Sequence, residues 1–489
     1  MTRIPTLMTA LGLALAACGE SGSGALVEHL PVPQHPYLAA NGRSNMHNDA
    51  YMSDTYELAG PGPAAQVSLR SYGDSLNTCA TIAFDPAGRV ITTSAAMLEF
   101  TILLVDPDSL EPLASYPLPQ RDPSDPLFPY DDTSGATYFV IDDRERIIFS
   151  DTENAVQVIR YDEQQDEFRQ LERHDLSGQV VEMTPPARDH VQMAIPDWSG
   201  RHLWFTTRYG MVGTIDTDGG RVQTVELAGE EIENSFAVGE DGAYIVSDHA
   251  LYRFSLGPNG VPRQDWRTPY DRGSTVKPGN FNQGSGTTPQ LFGDMVAICD
   301  NAEPRMNVLF LRREDGSLAC SLPVFDAGRS TTENALPGWV RRGPQGLEYS
   351  VIVDNNYGID RNNILGEGRA WLEHAGTLVR VDMVPDGSGG FSCFEVWRSQ
   401  EKSSQVLPKL SLETGLLYLY TYQRTGDGDY DFFLTAVDFA SGERVFSVPT
   451  GHGLDYANFG QPLALGPDGS AWLGTMMGLL RVRDPAAGS

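Results

Sequence analysis

Eight times along the chain, a short run rich in β-branched, aromatic and small apolar residues recurs in the same setting: Val90–Thr93, Ile147–Ser150, Leu203–Thr207, Ala243–Ser247, Met295–Cys299, Tyr349–Val353, Leu416–Thr421 and Ala471–Thr475. Repetition in a fixed order, at spacings of about 40 to 70 residues, constrains the fold more than composition does, because each unit is too small to bury its own apolar face and must stack on its neighbours. Each run follows a strand that ends in a polar turn, as in Phe84-Asp85-Pro86-Ala87-Gly88, Ile141-Asp142-Asp143-Arg144, Asp197-Trp198-Ser199-Gly200, Gly239-Glu240-Asp241-Gly242 and Gly466-Pro467-Asp468-Gly469. A third strand then meets a second polar turn, as in Val105-Asp106-Pro107-Asp108, Ile215-Asp216-Thr217-Asp218-Gly219 and Val437-Asp438-Phe439-Ala440-Ser441-Gly442. A fourth strand closes the unit, for example Val222–Leu227 or Arg444–Val448.

Asp-Gly and Ser-Gly between short alternating strands are hairpin signals. Four antiparallel strands per unit, in eight units, describe an all-β chain: an eight-bladed β-propeller, with seven blades as the alternative count. The units fall near 78–120, 136–178, 191–229, 233–271, 286–328, 332–400, 404–450 and 457–485. The last has three strands. Ala64–Tyr72 carries the alternation needed for its fourth, so an N-terminal strand is expected to close the ring without an open edge. The 50 glycines and 32 prolines are then the turns of the blades and no mark of disorder. No stretch holds a 3.6-residue apolar period for three turns, which argues against helices.

The turn of unit seven, Thr435-Ala436-Val437-Asp438-Phe439-Ala440-Ser441-Gly442-Glu443-Arg444-Val445-Phe446, resembles the PQQ-like repeat of the quinoprotein-dehydrogenase-like propellers. Leu104-Val105-Asp106 and Thr214-Ile215-Asp216 are weaker copies. The resemblance implies the fold and leaves the activity open. Phe446 stands where that repeat carries a docking tryptophan, and the chain lacks the adjacent cysteine pair those dehydrogenases place against the quinone. PQQ is therefore not expected as a cofactor.

Met1–Ala17 has the pattern of an export signal, with Arg3 as its positive end and an apolar stretch from Leu7 to Ala17. Leu15-Ala16-Ala17-Cys18-Gly19 resembles the bacterial lipobox, which implies acylation of Cys18 and anchorage in the cell envelope. Gly19 after the cysteine resembles lipoproteins sorted to the outer membrane. Residues 18–34 read as a flexible tether, 35–63 as an N-terminal arm and 64–485 as one propeller domain, expected to be a monomer. An exported chain can hold disulfides. Cys320 and Cys393 fall on the fourth strands of neighbouring units five and six and form the expected pair, closing a loop of roughly 70 residues.

The formal net charge is −30, and the only lysines are Lys277, Lys402 and Lys409. Such a chain lacks the basic face that a nucleic-acid partner requires. In a propeller, the loops joining second to third strands and the links between blades share one face. On that face the second strands run into Asp151-Thr152-Glu153-Asn154, Asp248-His249, Asp300-Asn301-Ala302-Glu303 and Asp354-Asn355-Asn356-Tyr357. First strands begin at Glu233-Asn234-Ser235, Thr287-Thr288-Pro289, Glu333-Asn334-Ala335 and Pro408-Lys409. Carboxylates and amides converging on a channel mouth suit a hard cation such as Ca²⁺. The pattern is similar to the metal mouth of gluconolactonase and paraoxonase propellers. That resemblance implies Asp151, Asp248, Asp300 and Asp354 as metal ligands, with Asn234, Thr288, Asn301, Glu333, Asn334, Asn355 and Tyr357 around a small polar molecule.

His249 follows one of these aspartates and is a candidate general base. Lys409 would pair with Glu333 or Glu401, or meet an anionic substrate. The stretch His35–Tyr56, rich in Tyr, Met and His, is expected to pack into or over the channel and to present His47, Asp49 or Asp54. The insert 358–375 in unit six is a candidate lid. No Gly-x-Ser-x-Gly, P-loop or His-Glu-x-x-His occurs, which disfavours the corresponding hydrolase and nucleotide chemistries. Two functions remain in view: a metal-assisted hydrolase or lyase acting at the mouth, and a non-catalytic scaffold for envelope protein partners, similar in layout to the eight-bladed lipoproteins of outer-membrane assembly. A quinone-dependent dehydrogenase is the third and weakest.

Overall fold

The computed structural model describes residues 27–73, 76–96, 98–121, 132–183, 188–359, 374–458 and 460–485. Among these residues the chain forms eight antiparallel sheets of four main strands each, one sheet per unit. Blades one to eight span 77–117, 139–175, 191–226, 237–269, 290–323, 338–399, 409–452 and 463–483. Blade eight takes its outermost strand from the N-terminus: Gln66–Ser71 pairs antiparallel with Gly478–Arg483, from Gln66↔Arg483 to Ser71↔Gly478. The ring is therefore eight-bladed and closed by an N-terminal strand, as the alternation of 64–72 requires. Cys320 and Cys393 join the outermost strands of blades five and six as a disulfide, with Cα atoms 6.2 Å apart.

The strands form where they do because blades stack face to face. A middle strand of a blade is covered on both sides, so it reads as a near-continuous apolar run. His202–Thr207 is such a strand, buried at all but its first residue. Trp204 and Trp472 sit between sheets at 1% exposure, and burying a side chain of that kind stabilises by roughly 1.5–3 kcal/mol. The repeated turn aspartates hold their own hairpins. Asp85 Oδ1 accepts from the amides of Ala87 and Arg89 at 2.9 and 2.8 Å, and Asp142 Oδ1 accepts from Arg144 and Arg146 at 2.9 and 2.8 Å. Gly242 ends the Asp-Gly turn of blade four at φ +139°, where a Cβ would lie 2.1 Å from the Phe254 carbonyl oxygen.

The arm fills the channel. Innermost strands turn one edge toward the axis, and unpaired amides there would be costly. Residues 39–56 supply the missing partners. Ile141 of blade two donates to Ser44 O, Val238 of blade four to Ala50 O, Leu291 of blade five to Tyr51 O, Gly338 of blade six to Ser53 O and Leu410 of blade seven to Asp54 O. Thr55–Tyr56 adds a short parallel strand inside blade seven. Residues 27–34 are docked as well, unlike the flexible tether expected for 18–34: Val27 N donates to Leu412 O, and Leu30 N to Val340 O. Cys18 and most of the 358–375 insert lie outside the described residues.

Candidate functional site

A cavity of about 260 Å³ opens at the mouth formed by the second-to-third-strand loops and the links between blades. Met46, from the arm, contributes to its lining along with residues from blades one, three and eight and from the links between blades. Its apolar lining comes from Leu76, Ala80, Ala95, Ala96 and Phe100 of blade one and its approach, with Met476 of blade eight. Its polar lining includes Glu233 and Asn234 leading into blade four and Glu333 and Asn334 leading into blade six. Arg121, Asp132 and Tyr138 from the link between blades one and two, and Arg208 of blade three, complete the wall.

The arginines are held by carboxylates. Arg121 Nε lies 3.0 Å from Asp132 Oδ2, and its NH2 donates to the carbonyls of Asp132 and Ser134 at 2.9 and 3.2 Å. Arg208 NH2 lies 3.1 Å from Glu231 Oε2. Burial, reinforced by the charges of Glu233 and Glu333, pushes the Tyr138 phenol well above its ordinary range. Tyr138 is thus a neutral donor, and its hydroxyl faces Asn234 Oδ1 at 3.5 Å.

Three of the expected ligand-binding residues, Asn234, Glu333 and Asn334, line this cavity. The others support the loops around it. Thr288 Oγ1 lies 2.8 Å from Ser235 Oγ. Asn301 donates to Arg272 O at 3.3 Å, and Asn355 donates to Arg329 O at 2.9 Å and accepts from the Tyr357 amide at 3.1 Å.

The four aspartates expected to share a cation do not meet. Among the described residues, no three His, Cys, Asp or Glu side chains converge in a way that could hold a metal ion. Asp151 accepts from the amides of Glu153 and Ala155, both at 2.9 Å, and from Gln157 Nε2 at 2.6 Å. Asp248 accepts from the Glu231 amide at 2.7 Å and pairs with Arg272. Asp300 caps the Ala302 and Asn307 amides at 3.2 and 2.6 Å. Asp354 accepts from Asn334 Nδ2 at 2.6 Å, which fixes a residue of the cavity wall from behind. Burial pushes the carboxyls of Asp300 and Asp354 up to about 6. These carboxylates are thus engaged one by one: Asp151 and Asp300 by amides of the turns they begin, Asp248 by the Glu231 amide and Arg272, and Asp354 by the side-chain amides of Asn334 and Asn356.

The three candidate catalytic residues lie elsewhere. His249 sits between Asp248 and Arg272, with Nδ1 2.8 Å from Asp248 Oδ1 and Nε2 2.7 Å from Arg272 NH1. Lys409 is fully buried and pairs with Asp54 of the arm, not with Glu333 or Glu401; Glu401 is taken by Arg444 at 2.6 Å. His47 follows the lining residue Met46. Its Nδ1 is 3.1 Å from Asp54 Oδ2 and its Nε2 is 3.1 Å from Ser235 Oγ. This serine–histidine–aspartate chain secures the arm. Ser235 is 1% exposed and is not among the lining residues, and Lys409 shares the Asp54 carboxylate.

Arg121, Asp132, Tyr138, Arg208 and Phe281 escape a reading of strand ends, because they lie inside links or after a strand with no repeated motif. The one signal for Arg121, Asp132, Tyr138 and Phe281 is length: the connections 118–138 and 270–289 are longer than the others leading into a blade, whereas Arg208 sits in a short loop with no such signal.

No protein-family model matches the chain. It is 28% identical over 328 residues to an uncharacterized protein of Archaeoglobus fulgidus, an alignment covering 57% of this chain and 58% of that relative's length. The crystal structure of the computationally designed Ika8 protein aligns with 86% of this chain and 100% of its own at a TM-score of 0.50 and 11% identity. A streptogramin B lyase structure covers 86% of this chain and 97% of its own at a TM-score of 0.39 and 10% identity. At 11% identity the likeness to the Ika8 protein is one of fold.

Proposed function

We propose that this propeller binds a small amphiphilic molecule in the mouth cavity, and that it does so as an exported, lipid-anchored protein. One observation carries the binding reading: residues from blades one, three and eight and from the links between blades enclose about 260 Å³ whose lining combines apolar side chains with buried carboxylates and amides. A concave site with a few convergent polar groups is the usual form of a small-molecule site. Among the described lining residues there is no histidine, cysteine or serine. Any proton transfer at the site would rest with its carboxylates, Asp132, Glu233 and Glu333. Export is supported by the signal-like Met1–Ala17 and by the Cys320–Cys393 disulfide, a bond that persists in oxidising compartments.

A fragment screen observed by NMR tests the site. Hits are expected to perturb Met46, Phe100 and Tyr138, and to be lost in Ala96→Trp, which fills the mouth. Hits that survive the block, or a screen without hits, would remove the support for this reading. Membrane fractionation of Cys18→Ser tests the anchor, which predicts release of the variant to the soluble fraction.

A further inference from the structure

We infer that the anchored propeller holds its mouth away from the bilayer, so that its ligand comes from the aqueous phase and not from among the membrane lipids. This rests on the lipid anchor at Cys18 and on the mouth being the binding site, and it names the source of the molecule taken there. The arm enters the fold on the side that decides this. Val27 N donates to Leu412 O, in the turn between the first and second strands of blade seven, and the Trp339 indole of blade six donates to Glu28 O at 2.9 Å. The chain then reaches blade three, where His35 packs on Trp198 with ring centres 4.5 Å apart, and blade two, where Leu38 bridges to Asp142. Trp198 and Asp142 lie in turns of the same kind as Leu412, between first and second strands. Residues 27–38 therefore cross the face opposite the mouth, from blade seven to blade two.

Reach sets the orientation. Cys18 precedes Val27 by nine residues, which at full extension span about 32 Å. Leu412 directly follows the innermost strand of blade seven, Lys409–Ser411, so the tether starts close to the axis. The way up through the ring is taken by the arm itself, whose residues 39–56 pair with the inner strands. A tether bound for the mouth side must therefore pass around the rim. It first crosses the other three strands of a blade, about 14 Å at about 4.8 Å per strand. It must then climb the outer edge. The outermost strands of blades six and seven, Phe391–Ser399 and Arg444–His452, have nine residues each, about 30 Å of height. The two legs together exceed the full length of the tether. An acylated Cys18 thus cannot reach a bilayer that faces the mouth, whereas it reaches one that faces the opposite side directly.

Energy transfer to rhodamine-headgroup lipid in phosphatidylcholine vesicles, with the full-length acylated chain, tests this. One donor dye is placed at Glu413→Cys, in the first turn of blade seven, and another at Arg305→Cys, in the second-to-third-strand loop of blade five; both positions are exposed. The native thiols Cys79 and Cys299 are buried, so the dye goes to the new one. The Glu413→Cys probe is expected to lie nearer the bilayer than the Arg305→Cys probe by about 20–30 Å, the height of a blade. Iodide in the water should quench the Arg305→Cys probe as strongly in the anchored protein as in the Cys18→Ser background. Inserting about thirty Gly-Ser residues after Gly24 should reduce the difference between the probes, because the constraint is reach. An Arg305→Cys probe as near the bilayer as the Glu413→Cys probe, or nearer, would overturn the inference and leave the mouth as the binding site. Wild-type protein that does not bind the vesicles would overturn it together with the anchor. In both cases the fragment screen still judges the mouth by itself.

Discussion

Lys409 and Asp54 form an ion pair in the middle of the channel, with neither side chain exposed to solvent. The lysine ammonium also donates to Met46 O and faces Asn48 Oδ1 at 3.5 Å, so one side chain of blade seven holds three points of the arm. Burial lowers the Lys409 pKa, opposed by the charges of Asp54 and Asp49.

Removing one partner strands the other charge in a dry interior. Lys409→Met is expected to cost about 3–5 kcal/mol in urea unfolding. The double variant Lys409→Met, Asp54→Asn should recover more than half of that loss. Equal losses in the single and double variants would show that the pair has no coupling.

The fold holds the Asp49 carboxyl up, from 3.8 to about 7, chiefly by burial. Between those two values the folded chain keeps a proton that the unfolded chain has released. Raising the pH through that window therefore costs stability, and the contribution present below pH 3.8 is gone above pH 7. Asp300 and Asp354, raised to about 6, act in the same sense over a narrower range. His35, lowered to about 4 by burial, acts in the opposite sense between that value and 6.5. The Asp49 contribution is therefore read as a difference: the change in Tm from pH 5 to pH 8 should be less unfavourable in Asp49→Asn than in the wild type, and an equal change in both would contradict the assignment.

The Cys320–Cys393 bond joins residues 73 apart. In the chain-entropy model, a loop of that size is worth about 4 kcal/mol. Dithiothreitol, or Cys320→Ser with Cys393→Ser, should lower unfolding stability by about that amount and leave the circular dichroism of the folded state unchanged.

Asp151 and Asp300 cap the turns that follow their second strands. Asp151→Ala and Asp300→Ala should each cost about 1–3 kcal/mol, because buried amides lose their acceptor. A few millimolar CaCl₂ should shift the melting temperature of neither the wild type nor the variants. Calcium stabilisation of the wild type that is lost in Asp300→Ala would instead restore a metal role for this position.

Much of the fold was legible because its determinants are local. A two-residue period, an aspartate at the start of a turn and a glycine at its end each act within a few residues, as in Phe84–Gly88 and Gly239–Gly242. Repetition then forces stacking, and the three-stranded last unit calls for a closing strand, which Gln66–Ser71 supplies. The Cys320–Cys393 pairing follows from the same register, since equivalent strands of adjacent blades lie side by side.

The site was legible only in part. Asn234, Glu333 and Asn334 carried a positional signal and reached the cavity. Asp151, Asp248, Asp300 and Asp354 carried a stronger one, but each is engaged separately: Asp151 and Asp300 cap turns, Asp248 pairs with Arg272 and Asp354 holds Asn334. By itself the sequence determined the blades and their closure, and the eight sheets of the structure fixed their number. Only the tertiary structure decided what fills the channel and which side chains meet above it. Blade contacts run between neighbours in sequence, whereas the arm threads past the inner strands of distant blades. Whether Tyr138, Glu233 and Glu333 face one another therefore depends on the closed ring and its plug, which no local pattern encodes.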